Sequence, residues 1–244
     1  MSERRQARIG GVVQGVGFRP FVHGLALELG LSGHVGNDGD GVVVEIEGPT
    51  AACDAFAARL VDAAPATATV HGVAWLPRTP VGDGSFTIRS STMGPDHRVP
   101  VSPDLATCAD CLAELWDPAD RRHRYPFVNC TRCGPRYTIV DAVPYDRART
   151  TMAGFRMCAP CAAEFADPTD RRFHAQPVCC ADCGPRLRLL DRDGRERADD
   201  PVAGAAELLR QGAVVAVKGL GGFHLAVAAG DAEAVARLRH RKHR

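Results

Sequence analysis

The chain has 244 residues, of which 45% are hydrophobic, and carries a net charge of +1, so it has room for one or two cored domains, or three if they are small. Lys+Arg against Asp+Glu runs 7 against 9 over residues 1–91, 13 against 12 over 92–190 and 10 against 8 over 191–244, which removes the basic footprint of a nucleic-acid binder. The charged start has no apolar stretch behind it, and no apolar run approaches the ~18 residues of a membrane span.

Residues 1–91 read as alternating strands and helices. Strand-like runs occupy Ala7–Val13, His34–Asn37, Val42–Glu47, Thr69–Trp75 and Ser85–Arg89. Phe21, Leu25 and Leu29 recur at helical spacing, as do Cys53, Phe56, Ala57 and Leu60. The order βαββαβ with a further strand predicts an α+β, ferredoxin-like domain.

Between the first strand and first helix runs Gly11-Val12-Val13-Gln14-Gly15-Val16-Gly17-Phe18-Arg19-Pro20. Glycines at 15 and 17 allow a tight loop whose N–H groups converge on an anion, and Pro20 suits the first turn of the helix that follows. Arg19 adds a bidentate cation for phosphate oxygens. A dinucleotide fingerprint fails, because Pro20 stands where the third glycine belongs, and no Gly-Lys-Ser/Thr follows.

Residues 92–103, with Pro95, Pro100 and Pro103, read as a linker. Residues 104–190 hold Cys108/Cys111, Cys130/Cys133, Cys158/Cys161 and Cys180/Cys183, every pair Cys-x2-Cys, with 18, 24 and 18 residues between pairs. Adding 50 to the first four positions gives the last four. Asp117-Pro118-Ala119-Asp120-Arg121-Arg122 recurs as Asp167-Pro168-Thr169-Asp170-Arg171-Arg172, and Cys133-Gly134-Pro135-Arg136 as Cys183-Gly184-Pro185-Arg186. Two Cys-x2-Cys turns supply opposite edges of a tetrahedron, so two structural zinc ions are expected in a loop-rich region. Redox pairs or disulfides are the competing readings. A reducing cytosol, implied by ten cysteines without an export signal, disfavours disulfides. Each zinc could use its own repeat, or outer and inner pairs could combine; a unit that worked before duplication favours the first. Arg136 and Arg186 are expected to offset thiolate charge. Cys53 and Cys179 stand outside the array.

Beyond residue 198 a helix (Val202–Arg210), an apolar strand (Ala213–Val217), a Gly-rich turn and a helix (Asp231–Leu238) follow. The pattern reads as the truncated beginning of an α/β domain over 198–244.

Gly11–Arg19 resembles the acylphosphatase signature G-x-V-Q-G-V-x-F-R, and Val35-Gly36-Asn37 resembles that family's second motif. The resemblance implies that Arg19 and the loop residues Gln14, Gly15, Val16, Gly17 and Phe18 hold an acyl phosphate, and that Asn37 positions the attacking water. An acylphosphatase-like domain at 1–91 followed by two four-cysteine repeats over 104–190 is similar to the N-terminal part of the HypF-type carbamoyltransferases of nickel–iron hydrogenase maturation. In that family the next domain is YrdC-like and binds ATP. Gly212–Gly219, Gly221-Gly222-Phe223-His224 and Arg241-Lys242-His243-Arg244 fit its start, so the resemblance offers Lys218, Lys242 and Arg244 for nucleotide phosphates. A strand-end lysine and a solvated basic tail fit those residues equally. The resemblance implies hydrolysis of carbamoyl phosphate, ATP-dependent activation of the carbamate, and transfer to a partner protein's C-terminal cysteine. Only the first step is expected of this chain. The alternative is a zinc-ribbon module that grips nucleic acid or a partner protein; balanced charge and few aromatics in the array argue against nucleic acid.

Overall fold

A computed structural model describes residues 2–92 and 99–243. The chain divides into two compact units, 1–184 and 185–244, so the first domain and all eight cysteines of the array belong to one body. Pro95, and the basic-tail residue Arg244, lie outside the described residues.

The first part of unit 1 has strands β1 (Ser2–Val12), β2 (Ser32–Asp38), β3 (Gly41–Pro49), β4 (Thr69–Arg78) and β5 (Phe86–Ile88), with helices α1 (Phe18–Glu28) and α2 (Thr50–Asp62). The sheet order is β4-β1-β3-β2-β5; all pairings are antiparallel except β2 with β5. This is the expected βαββαβ frame with its extra strand. Alternation decides which face is buried. Ala7, Ile9, Val35, Val42, Val44 and Ile46 meet Val22, Leu25 and Ala26 of α1 and Cys53, Phe56 and Leu60 of α2. Each fully buried Phe contributes about 1.5–3 kcal/mol relative to exposure. From the opposite pleats, Arg4 donates to Glu45, Glu47 and Asp83.

The cysteine region is more regular than its composition suggests. Helices α3 (Ala109–Trp116) and α4 (Ala159–Ala166) each start immediately after the first cysteine of a repeat. Each is 8 residues long, too short to be marginally stable alone; the second cysteine of its pair sits buried in its first turn.

Unit 2 contains α5 (Pro201–Arg210), β6 (Val215–Lys218), β7 (Phe223–Ala226) and α6 (Ala232–Arg241). Asp200 and Asp231 cap the two helices through their side chains. The expected Gly-rich turn is present, and Phe223–Ala226, which the sequence left unassigned, forms a second strand paired antiparallel with β6. Val217, Leu220, Phe223 and Leu225 of this hairpin are exposed.

Candidate functional site

The loop between β1 and α1 turns on two left-handed glycines, Gly15 at φ 75° and Gly17 at φ 77°, a conformation that L side chains rarely adopt. Gly15 is doubly constrained: a Cβ there would lie 3.2 Å from Arg136 Cδ and 3.3 Å from the Tyr145 ring. Gly17 is the N-cap of α1. Among the described residues no protein group accepts the N–H of Gly15, Val16, Gly17 or Phe18. With the N-terminus of α1 behind them, these donors form an anion cradle. The Val16 and Phe18 side chains are buried in the core, so only their backbone faces this chemistry.

Arg19 is only 8% exposed. Its Nη2 lies 2.9 Å from Asp146 Oδ1 and donates to Tyr145 O at 3.3 Å, and Nη1 donates to Ser91 Oγ at 3.5 Å. Asn37 shares the core-facing side of β2 with Val35 two residues earlier. It is 2% exposed, its Nδ2 donates to the same Tyr145 O at 3.5 Å, and among the described residues none donates to its buried Oδ1. Gln14 donates through Nε2 to Asp38 O and Gly41 O and accepts from Tyr145 N–H through Oε1. Its side chain is thus committed to holding the loop in place. Thr131, Arg136, Tyr145, His174 and Gln176 of the cysteine region line the same recess as Gly15, Gly17 and Arg19. Burial, and then the positive charge of Arg19, lower the pKa of His174 to about 4, so the ring is neutral at pH 7.

The eight array cysteines gather as two clusters, Cys108/Cys111/Cys130/Cys133 and Cys158/Cys161/Cys180/Cys183. Each cluster stays within its own repeat. Sγ–Sγ separations run 3.4–3.8 Å in the first and 3.6–3.8 Å in the second. Disulfide sulfurs lie ~2.05 Å apart. Four sulfurs at ~2.3 Å from a tetrahedral ion lie about 3.8 Å from each other, so the donor set and spacing fit zinc.

The cations that face these sulfurs are exchanged between repeats. Arg121 Nη2 donates to Cys161 Sγ at 3.2 Å, and Arg171 Nη1 and Nη2 donate to Cys111 Sγ at 3.2 Å. Arg121 and Arg122 also clasp Glu164, while Arg171 and Arg172 clasp Glu114. Burial works against the Glu164 carboxylate, but its arginine hydrogen bonds outweigh that and hold its pKa down at about 2. The repeated aspartates shape the display: Asp120 accepts from Arg122 N–H and Asp170 from Arg172 N–H, both at 2.7 Å. Arg122 then reaches Cys179 O at 2.9 Å and Arg172 reaches Asn129 O at 3.1 Å. Cys179 and Asn129, equivalent by the 50-residue offset, therefore meet where the repeats join; Asn129 Nδ2 lies 3.8 Å from Cys179 Sγ.

The role expected of Arg136 is corrected by these contacts. It is 2% exposed and donates to five main-chain oxygens, those of Gly15, Cys130, Thr131, Cys133 and Pro135. It clips the first metal knuckle to the phosphate loop instead of compensating sulfur.

Three family models match: acylphosphatase over residues 5–88, HypF finger over 107–140 and 157–190, and telomere recombination (Sua5/YciO/YrdC) over 207–244. The carbamoyltransferase HypF2 of Cupriavidus necator is 54% identical over 99% of this chain and 30% of its own length. The chain corresponds to the N-terminal part of the HypF carbamoyltransferases, and its first domain belongs to the acylphosphatase family. A crystal structure of full-length HypF in the phosphate- and nucleotide-bound form superposes with a TM-score of 0.94 at 47% identity, covering 100% of this chain and 32% of that one. The acylphosphatase of Thermotoga petrophila is 41% identical over 34% of this chain and 91% of its own length. The chain thus spans about a third of the length of the HypF proteins it matches and nearly all of an acylphosphatase.

In unit 2, Lys218 ends β6 with its Nζ 5.2 Å from the Phe223 ring centroid, and Lys242 lies exposed just after α6. No contact joins them among the described residues. Sequence reasoning missed Thr131, Tyr145, Asp146, His174 and Gln176 at the loop. The Asp-Pro-x-Asp-Arg-Arg repeat is plain in the sequence, but its exchange across repeats is a property of the fold. Glu114 and Glu164, offset by 50, were the available clue.

Proposed function

We propose that this chain hydrolyses an acyl phosphate at the β1–α1 loop, and that carbamoyl phosphate is its substrate. The observation that carries the reading is the cradle of free N–H groups from Gly15 to Phe18 beside Arg19, with Asn37 close by. In this reading the N–H groups and Arg19 hold the phosphoryl oxygens, Arg19 offsets charge that grows at the leaving oxygen, and Asn37 Oδ1 accepts a hydrogen bond from the attacking water. Water adds to phosphorus, the bond from phosphorus to the acyl oxygen breaks, and carbamate and inorganic phosphate leave.

Each four-cysteine cluster is assigned one zinc ion, which supplies folding energy rather than chemistry. Thiolates of this kind belong in a reducing compartment, and the cytosol is proposed. No helix among the described residues is long and apolar enough to cross a membrane. Lys218, Lys242 and Arg244 are proposed as nucleotide-phosphate contacts of the complete protein. There the YrdC-like part would activate carbamate with ATP, and a partner's C-terminal cysteine would accept the carbamoyl group. The nucleic-acid alternative is disfavoured by Arg121, Arg122, Arg171 and Arg172, all of which are spent on Glu114 and Glu164.

The test is carbamoyl phosphate hydrolysis by the wild-type chain beside Arg19→Ala and Asn37→Ala. Loss of Arg19 is expected to lower the rate about 10²–10³-fold, the range for removing one transition-state donor, with a comparable fall for Asn37. Equal background rates in all three chains would refute the reading.

A further inference from the structure

Gln14, Arg19 and Asn37 come from three places in the acylphosphatase domain, yet all terminate on two consecutive residues of the cysteine region. Tyr145 N–H binds Gln14, Tyr145 O accepts from both Arg19 and Asn37, and the Asp146 carboxylate pairs with Arg19. Asp146 is a surprising neighbour for an anion cradle, because a carboxylate 2.9 Å from the loop's cation opposes any incoming phosphate.

The way Arg19 is used explains it. Both strong contacts to the 145–146 segment fall on Nη2. Nη1 has only the 3.5 Å contact to Ser91, and Nε has no protein acceptor among the described residues. A guanidinium offers five N–H donors in a rigid planar fork. Fixing Nη2 therefore sets the guanidinium plane while leaving Nε–H and the Nη1 hydrogens as individual donors. An arginine side chain held this way has already lost rotamer freedom that it would otherwise lose on binding its anion.

We propose that Asp146 is a positioning residue for the phosphate site: it anchors Nη2 of Arg19 so that the guanidinium is held in place with its Nε–H and Nη1–H donors open to the phosphoryl group. Tyr145 O holds the same Nη2 and fixes Asn37 by the same oxygen. The acylphosphatase site is on this account a composite, with its own two functional side chains oriented by a segment of the cysteine region. The inference rests on the assignment of the loop as an acyl-phosphate site, and its primary readout does not require turnover.

The experiment uses the whole zinc-loaded chain as wild type, Asp146→Ala and Asp146→Asn. The Arg19 Nε–Hε signal is followed by NMR, assigned by its disappearance in Arg19→Lys, during titration with inorganic phosphate; carbamoyl phosphate hydrolysis is measured in parallel. In the wild type the signal is ordered and shifts with phosphate. In Asp146→Ala it becomes mobile, phosphate affinity falls about tenfold and kcat falls more than KM rises, while zinc content and melting temperature stay near wild type. Asp146→Asn, which keeps an acceptor for Nη2, restores most of the order and most of kcat. An unchanged Arg19 signal and unchanged phosphate binding in Asp146→Ala would overturn the inference. Tighter phosphate binding in that variant would also overturn it, because it would make Asp146 a competitor of phosphate. A wild type that orders Arg19 but hydrolyses nothing would refute the hydrolase assignment, while the Arg19 signal still decides the role of Asp146.

Discussion

The two cysteine repeats have the same frame and different jobs. Around the metal clusters they are closely similar: each lends two arginines to the other's glutamate, and Arg121, Arg122 and Arg171 also reach the other repeat's sulfur. Away from the clusters they part. The first repeat sends Arg136 to Gly15 O, whereas its counterpart Arg186 falls in the other compact unit. Arg124 and His174 occupy equivalent left-handed positions at φ 57° and 54°, and only His174 lines the recess at Arg19. Duplication supplied a symmetrical pair in which each half completes the other. The loop contacts were added without that symmetry.

Mutual completion makes the strongest prediction. In Cys161→Ser the second cluster loses a ligand, and Arg121 loses a sulfur partner. Metal binding of the kind that contributes ~10 kcal/mol or more to folding of small zinc modules is then removed from one repeat. Because Arg171 and Arg172 would no longer be presented to Glu114, zinc affinity of the first repeat should fall as well. Metal analysis under a competing chelator should show loss of both ions together; retention of one ion at wild-type affinity would show independent repeats. The next effect is smaller and should be symmetrical. Arg122→Ala and Arg172→Ala each leave a partly buried glutamate short of a partner, at a cost of about 3 kcal/mol, read as equal shifts in urea unfolding. A large difference between the two would break the equivalence.

The ferredoxin-like frame was legible because alternation at Ala7/Ile9 and Val42/Val44/Ile46 states which face is buried, and the cysteine spacing states its own chemistry. Gly15 and Gly17 were legible for the same local reason, a loop that needs left-handed backbone. Tyr145 and Asp146 were not. They act through a main-chain oxygen and a long-range ion pair, across more than a hundred residues of sequence, and no local periodicity encodes either. The reassignment of Arg136 has the same origin. Its neighbours in sequence are sulfurs, but its buried fork finds five carbonyls. Phe223–Ala226, between the Gly-rich turn and the last helix, carried no strand reading, and pairing with β6 makes it one.

The mildest prediction uses the asymmetry at position 174. Its folded-state pKa of about 4 lies below the usual 6.5, so the native state resists a proton that the unfolded chain accepts. Stability is therefore complete above pH 6.5 and declines as pH falls from there towards 4. The decline attributable to His174 is on the order of 2 kcal/mol after solvent screening. His174→Gln should flatten that part of the urea-unfolding profile; an unchanged slope would place the ring in water rather than in the recess.

The central claim is that the metal repeats organise the phosphate loop through Arg136, Tyr145 and Asp146, although no metal ligand lines the recess itself. Its most direct test is to withdraw zinc stepwise with a chelator while following carbamoyl phosphate hydrolysis and far-ultraviolet circular dichroism together. Hydrolysis should fall in proportion to bound metal, before the sheet signal of the first domain is lost, and should return on adding zinc. A metal-free chain that hydrolyses at the full wild-type rate would contradict the account.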